Sequence, residues 1–387
     1  MKDRYLSLDV FRGATVCLMI LVNNPGTWSH IFGPLEHASW HGLTPTDLVF
    51  PFFLFAVGNA FAFVMPKLKE GGNAFFYKKV IKRTILIFLI GLFLNWYPFF
   101  RLTDAGYSFI HWVNPDDPTK GVRIFGVLQR IAVAYFFASI IAFYSKPKNT
   151  FLIGLLILIA YWAITYIANP TDPYSMEGFI GTTWDKQILG IAHMYKGEGV
   201  PFDPEGLWST VPSIVQILFG YLIGLMIKNK LDDEGNPINP YQKLTQLFIV
   251  AVALLVAGYC WQLSFPVNKK IWTSSYVLVT TGLATAIIAT MIYFIEIKKS
   301  TSFLIHFFEA FGKNPLFIFA LSAFLPKTAG LFRNADGITP WNWLYQKILI
   351  HIPGEPELGS LAYAVCVIIF MWAICYWLDK KKIYIKV

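Results

Sequence analysis

Residues 46–66 read TDLVFPFFLFAVGNAFAFVMP, and this stretch decides the fold class of the chain. A helix needs roughly 20 mostly apolar residues to cross the hydrocarbon core of a bilayer. Asp47 is the only charged residue in the stretch, and it lies at the first turn. The segment therefore predicts a membrane-spanning helix that begins beside a carboxylate.

Nine other segments have the same apolar character. With the first, they predict ten spans, at 8–23, 46–66, 80–100, 123–144, 150–168, 209–228, 243–263, 272–296, 304–325 and 359–378. Only 14% of the 387 residues are charged, whereas a soluble domain carries about 25%. This composition excludes an ordinary cytosolic enzyme, a disordered chain and a disulfide-built secreted module. We predict an all-α polytopic membrane bundle of about ten transmembrane helices, with residues 1–387 in a single domain.

Lysine and arginine are distributed unevenly between the predicted loops. If the N terminus is cytoplasmic, that side holds 20 of the 32 basic residues and the opposite side holds ten. Basic residues concentrate on the cytoplasmic side of membrane proteins, so we predict that both termini are cytoplasmic. The net charge of +9 then reflects orientation in a lipid bilayer, and no nucleic acid is expected as a partner.

The richest group of polar residues lies at the start of the second span. Ionisable groups at membrane depth are costly and often functional, so Asp47 needs a partner, and His37 in the preceding segment is the obvious one. A histidine held by a buried carboxylate keeps one tautomer and presents its other nitrogen as a base. The structural alternative is that Asp47 only caps the helix and that His37 only forms hydrogen bonds within a loop.

A metal site is not expected. His37 and His41 are four residues apart, a spacing that suits two ligands on one helix face, but no third ligand follows at a recognisable distance. The four cysteines lie within apolar stretches and form no CxxC pair. This pattern supports neither a disulfide framework nor a zinc site.

Polar residues also lie at other helix mouths and breaks. Arg123 and Arg130 are seven residues apart and share a helix face, where Arg130 needs carboxylates, phosphates or carbonyls around it. A structural ion pair of Arg130 with Asp47 or Asp9 remains an open alternative. The sixth and eighth spans and the FGKNP break of the ninth contribute Asp203, Glu205, Trp208, Lys269, Ser275 and Asn314. Together these positions predict a shared cavity.

Six short blocks carry a family resemblance. They are residues 7–13 (SLDVFRG), 37–44 (HASWHGLT, apart from His41), 47–51 (DLVFP), 126–130 (GVLQR), 203–206 (DPEG) and 266–269 (PVNK). In this order the chain resembles the heparan-α-glucosaminide N-acetyltransferase family, up to about residue 320. It looks like a bacterial member, similar to the inner-membrane amino-sugar acetylases encoded with chitin-utilisation systems.

The resemblance implies a membrane-embedded acetyltransferase in the bacterial inner membrane. Such an enzyme takes the acetyl group from cytoplasmic acetyl-CoA and passes it to an amino sugar, of glucosamine type or a short oligosaccharide, on the opposite side. The active histidine of the family falls on His37, with Asn23 and Asp47 at the neighbouring polar positions. His37 would act as base, Asp47 would orient it, and Asn23 would donate to the carbonyl oxygen. An acetyl-His37 intermediate is the competing mechanism.

The remaining polar residues are assigned to the two substrates. Acetyl-CoA carries phosphates that cations and hydroxyls can bind, and for it we predict Arg130, Ser275, Asn314 and Arg12. For the acceptor sugar we predict Asp203, Glu205, Trp208, Trp40 and Lys269. No metal is expected, and a homodimer is left open. Two rival functions are a proton-coupled sugar transporter and a scaffold that leaves the polar residues unused.

Overall fold

The computed structural model describes residues 5–103, 106–231, 235–334 and 336–385. Within these ranges the chain is mainly helical, which confirms the predicted all-α membrane fold. Its α-helices are α1 (Leu6–Asn23), α2 (Val49–Glu70), α3 (Gly72–Trp96), α4 (Val127–Tyr144), α5 (Pro147–Ala168), α6 (Ile180–Ile188), α7 (Leu207–Lys228), α8 (Pro240–Trp261), α9 (Ser274–Ile292), α10 (Phe303–Lys313), α11 (Pro315–Ala329), α12 (Trp343–Lys347) and α13 (Pro356–Lys380). Two antiparallel strand pairs lie between α3 and α4: β1 (Phe100–Thr103) with β2 (Gly106–Phe109), and β3 (Val113–Asn114) with β4 (Asp117–Gly121).

Eight of the described helices are long and apolar enough to cross a membrane. They are α1, α2 with its preceding 3₁₀ turn (Pro45–Leu48), α4, α5, α7, α8, α9 with its π-helical extension (Tyr293–Ile297), and α13. Helices α10 and α11 are bent by 81° relative to each other and would make a ninth span if they count as one. The bend lies at Asn314 and Pro315, within the predicted break, because proline starts a helix more readily than it continues one.

The remaining predicted span, at 80–100, corresponds to α3, which covers 25 residues. The charge of its first half sets it apart from the eight apolar helices, since that half carries Lys78, Lys79, Lys82 and Arg83. Its second half, from Thr84 onward, is apolar up to Asn95. In the described part of the chain, eight or nine helices therefore meet the length and composition of a span, against about ten predicted.

Helices α2 and α7 pack closely at the centre of the bundle. A methyl group in place of the Gly58 hydrogen would lie 2.0 Å from the carbonyl oxygen of Ile217. One at Gly220 would lie 2.4 Å from the carbonyl oxygen of Phe55. Small residues at helix crossings let the backbones of membrane helices approach each other, and here they fix α2, which carries the candidate carboxylate at its start, against α7.

In the described part of the chain, the connections between successive spans bring five loops to one end of the bundle, which we call the His37 end. These loops comprise residues 24–48, 97–103 with 106–126, 169–206, 262–273 and 336–355. Hydrogen bonds tie them together: Trp40 Nε1 donates to the carbonyl of Tyr174 at 2.8 Å, and Gly42 N–H donates to that of Val267 at 2.8 Å. The opposite end, which we call the basic end, carries the short connections rich in lysine and arginine.

Candidate active site

His37 and Asp47 are hydrogen bonded at the His37 end. Asp47 Oδ1 lies 2.6 Å from His37 Nδ1, and Asp47 Oδ2 accepts the backbone N–H groups of Ala38 and Thr44, both at 3.1 Å. Asp47 is 1% exposed, whereas the His37 side chain keeps 47% of its surface exposed. One carboxylate thus serves both expected purposes: one oxygen caps the 3₁₀ turn, and the other orients the imidazole.

Lys269 lies beside this pair, although 232 residues separate it from His37 in the chain. Its Nζ is 3.1 Å from Nδ1 and 3.3 Å from Nε2 of His37, and 3.6 Å from Asp47 Oδ1. Burial lowers the pKa of Lys269, while the charges of Asp47 and Glu205 oppose this shift. The sequence predicted Lys269 as a sugar contact, and its position against the imidazole was not foreseen.

A cavity of about 160 Å³ opens next to His37. Its polar lining consists of Asn23, His37, Thr46, Glu205 and Lys269. Its apolar lining comes from α1, α2, α4 and α11: Met19, Val22, Val49, Phe50, Phe53, Val127, Ile131 and Phe319. The shared cavity thus holds Asn23, His37, Glu205 and Lys269 among the predicted site residues.

Arg123 holds the two carboxylates that precede α7. Its Nε donates to Asp203 at 3.0 Å, and its Nη2 lies 2.5 Å from both Asp203 and Glu205. Burial alone would lower the pKa of Arg123, but the charges of Glu205 and Asp203 outweigh it and raise the pKa above its ordinary value. The Asp203 side chain is fully enclosed, so that Glu205 alone of the pair lines the cavity. The sequence did not identify Arg123 as the partner.

Arg130 is 0% exposed and has internal partners. Its Nη2 donates to the carbonyl of Pro204 at 2.6 Å and to the hydroxyl of Ser209, and its guanidinium carbon lies 4.9 Å from the centre of the Trp272 ring. Its Nη1 has no hydrogen-bond partner in the described part of the chain. These contacts favour a structural role for Arg130, although its partners are one loop carbonyl and hydroxyls at the start of α7 rather than Asp47 or Asp9.

Four further predicted residues also face internal partners. Ser275 is buried and donates to the Phe265 carbonyl at 2.5 Å. Asn314 binds the backbone near the C terminus, donating to Ile383 and accepting from Ile385. Trp208 donates to Thr165 at 3.1 Å, and Trp40 packs against Phe202 with ring centres 5.4 Å apart. None of these four side chains lines the His37 cavity.

A second cavity, of about 150 Å³, lies farther toward the basic end. Arg12 and Arg83 line it, and it shares Phe53 and Ile131 with the first cavity. Two open clefts continue from it to the basic end, and their cationic lining is Arg12, Lys67, Lys79, Lys82, Arg83 and Lys228. Arg12 therefore lies where a ligand from the basic end would pass. The sequence predicted the other five individually as orientation signals, and cytoplasmic cations in general as partners of the CoA phosphates.

Comparison with known proteins agrees with the motifs. Residues 4–187 match the family model described as heparan-alpha-glucosaminide N-acetyltransferase, catalytic. The predicted family resemblance is confirmed. The human heparan-alpha-glucosaminide N-acetyltransferase is 28% identical over 349 residues, which cover 77% of this chain and 50% of the human protein. The mouse protein is 25% identical over 344 residues, covering 76% and 50%.

The chain spans about half the length of these curated heparan-alpha-glucosaminide N-acetyltransferases. The family match contains Asn23, His37 and Asp47. It ends before Glu205 and Lys269, which the fold brings to the same cavity. Within the described residues, no group of three or more His, Cys, Asp or Glu side chains is arranged to hold a metal ion.

Proposed function

We propose that this protein is a membrane-embedded acetyltransferase, which transfers the acetyl group of acetyl-CoA to the amino group of an amino sugar. One observation carries the proposal: a half-exposed imidazole, bonded through Nδ1 to a buried carboxylate, lines a cavity at the His37 end. An amine that attacks a thioester needs a base for its proton, and His37 Nε2 can take it. The match to the acetyltransferase family supports the same reaction.

The acceptor is an amino sugar of glucosamine type that enters from the His37 end. Glu205 gives the cavity a carboxylate that attracts an amino group, and charge-assisted hydrogen bonds are the strong ones in such sites. Arg123 fixes that carboxylate from the other side at 2.5 Å. A short oligosaccharide fits the same chemistry if its terminal amino sugar reaches His37.

The donor, acetyl-CoA, enters from the basic end. We infer that this end is cytoplasmic, because lysine and arginine concentrate on the cytoplasmic side of membrane proteins. Its phosphates suit the cations of the two clefts. Along α2 the cavities follow each other: Phe50 and Phe53 line the first, Phe53 and Ala60 the second, and Lys67 both clefts. This succession supports passage of the thioester arm through the bundle, with Phe53 and Ile131 between the two cavities.

Direct transfer is the mechanism that we favour. The amine attacks the thioester while His37 Nε2 takes its proton, and the departing CoA sulfur then takes that proton. Asp47 Oδ1 holds the ring proton on Nδ1, and the backbone donors to Oδ2 fix the carboxylate, so that Nε2 is the nitrogen that takes and releases the proton. An acetyl-His37 intermediate would lie in a cavity where 47% of the side chain is exposed, and water there would hydrolyse it.

The test uses the purified protein in sealed proteoliposomes, with acetyl-CoA on one side of the membrane and glucosamine on the other. We expect N-acetylglucosamine on the glucosamine side and an equal amount of free CoA on the other. Uptake of labelled glucosamine without acetyl-CoA, and without any acetylated product, would instead identify a transporter. If neither acetylation nor uptake is observed, the scaffold alternative remains.

A further inference from the structure

The ammonium of Lys269 contacts His37 without occupying either nitrogen axis. Its Nζ lies 3.1 Å from Nδ1 and 3.3 Å from Nε2. The N–H and lone-pair directions of the two imidazole nitrogens diverge, so that one donor cannot lie along both. The nearly equal distances therefore place the cation beside the ring, where it leaves the Nε2 direction open to a substrate.

Lys269 also presents its charge to the cavity. A fifth of its side-chain surface, 20%, remains exposed, and it lines the cavity together with Asn23, His37 and Glu205. The neighbouring Lys270 is different: its ammonium pairs with Glu198 at 2.6 Å and donates to the Ser39 carbonyl at 3.1 Å, and it does not line the cavity. Two adjacent lysines thus provide a site residue and a matched control.

The loop that carries Lys269 is closed by its own hydrogen bonds. Asn268 Oδ1 accepts from Ile271 N–H at 3.0 Å, and Asn268 N–H donates to Thr273 Oγ1 at 3.1 Å. Trp272 has a φ of 50°, a left-handed conformation that is unfavourable for a bulky residue, and its N–H donates to the Lys269 carbonyl at 3.1 Å. Trp272 is 0% exposed, so its packing retains this turn and fixes the backbone of Lys269.

We propose that Lys269 is a catalytic residue, whose ammonium binds the acetyl carbonyl oxygen as that oxygen becomes an oxyanion. This inference rests on the proposed acetyltransferase function. Preorganised donors aimed at developing negative charge often make the largest single contribution to acyl transfer. An amine hydrogen bonded to His37 Nε2 brings the attacked carbonyl within reach of a cation that is 3.3 Å from the same nitrogen.

The electrons and protons of the step balance with His37 and Lys269 alone. The amine lone pair forms the N–C bond, the carbonyl π pair moves to oxygen, and Lys269 stabilises that oxygen without losing its proton. His37 Nε2 takes one proton from the nitrogen. The carbonyl then reforms, the C–S bond breaks with its pair on sulfur, and His37 gives its proton to the CoA thiolate.

Asn23 is the donor that the sequence predicts, and it lines the same cavity. Its amide is a neutral donor, whereas the ammonium of Lys269 carries a full positive charge, whose Coulomb attraction adds to its hydrogen bond with an oxyanion. Burial lowers the pKa of Lys269, and an ammonium with a lowered pKa is a better donor. Asp47 and Glu205 oppose that shift by favouring the charged form. Lys269 is therefore the stronger candidate for the oxyanion.

The experiment compares Lys269→Met, Lys269→Arg and Lys270→Met in acetyl transfer to glucosamine, with acetyl-CoA affinity measured on each folded variant. Losing an oxyanion donor typically lowers kcat about 10²–10³-fold, so Lys269→Met should lose that much with little change in either KM. Lys269→Arg should keep more activity than Lys269→Met, and Lys270→Met should keep the wild-type kcat.

A second experiment treats Lys269→Cys with 2-bromoethylamine, which converts the cysteine into a lysine analogue. This treatment should restore turnover, with treated wild type as its reference.

The outcomes separate the inference from the function on which it rests. Wild-type protein without acetyl transfer would contradict the proposed function itself. If wild type is active, a Lys269→Met enzyme with near-normal kcat overturns the role of Lys269, and so does a variant with raised KM alone. A large loss of kcat in Asn23→Ala with none in Lys269→Met would assign the oxyanion to Asn23. If Lys269→Met does not fold, the test uses folded Lys269→Cys instead. Aminoethylation that fails to restore the turnover of this variant would then contradict the proposal.

Discussion

Asp47 divides its two carboxylate oxygens between His37 and the backbone. Oδ1 lies 2.6 Å from His37 Nδ1, while Oδ2 accepts the N–H groups of Ala38 and Thr44 at 3.1 Å. Because the backbone donors fix the orientation of Oδ2, the oxygen that faces the ring is fixed as well. The imidazole is then held with its proton on Nδ1 and with Nε2 available as an acceptor.

This division predicts a severe effect of Asp47→Asn. The amide oxygen of asparagine should stay on the two backbone donors, which turns its NH₂ group toward His37 Nδ1. That group donates, so the ring proton moves to Nε2 and the base is lost. We expect turnover to fall by about 10²–10⁴-fold, the scale of a lost general base, in a protein that still binds acetyl-CoA. Steady-state kinetics check this, and a loss below tenfold would show that the tautomer does not matter.

The spans and the contact of His37 with Asp47 follow from local signals in the sequence. The length of the apolar segments predicts the spans, and a charged residue at the start of an apolar helix needs a partner close by. Lys269 contacts His37 although 232 residues separate them in the chain. Arg123 contacts Asp203 across a separation of 80 residues. Helix packing determines such contacts, and no local pattern reports it. For the same reason Arg130, which the sequence predicts at a ligand site, instead contacts the Pro204 carbonyl, the hydroxyls of Ser209 and Thr210, and the Trp272 ring.

Lys269 predicts an alkaline limit to activity. Burial lowers its pKa below the ordinary 10.5, against the opposing charges of Asp47 and Glu205. If the ammonium is the active form, kcat should fall as pH rises through this lowered pKa. In Lys269→Arg the cation persists, because arginine stays protonated above pH 12, so the alkaline fall should shift upward. A pH profile of kcat for both proteins tests this, and identical alkaline limbs would contradict it.

Asp185 predicts that stability depends on pH. Its Oδ1 accepts the N–H of Leu207, the first residue of α7, at 2.9 Å. Burial is the main cause that raises its pKa from 3.8 to about 7. Between these values the folded protein keeps a proton that the unfolded chain releases, so Asp185 lowers stability as pH rises through this window. Asp185→Asn should therefore gain thermal stability over wild type at pH 8, and less at pH 5; an equal difference at both pH values would contradict this.

We predict that the size of the side chain at position 53 controls the passage of acetyl-CoA toward His37. It lies between the two cavities and, with Ile131, belongs to both. Phe53→Trp adds volume there and should lower kcat/KM for acetyl-CoA by about tenfold or more, without raising KM for glucosamine. Leu89→Trp is the control, since Leu89 is 53% exposed on α3. Equal effects of both substitutions would place the thioester path elsewhere.

The transfer reaction of His37→Ala tests the catalytic role of His37 most directly. The variant should be compared with wild type for acetylation of glucosamine, after both are shown to be folded in detergent and to bind acetyl-CoA. The proposed mechanism predicts unchanged acetyl-CoA binding and turnover about 10²–10⁴-fold lower. Near-normal turnover would contradict the assignment of His37 as the base and turn attention to Glu205, the other titratable group of the cavity that can accept a proton.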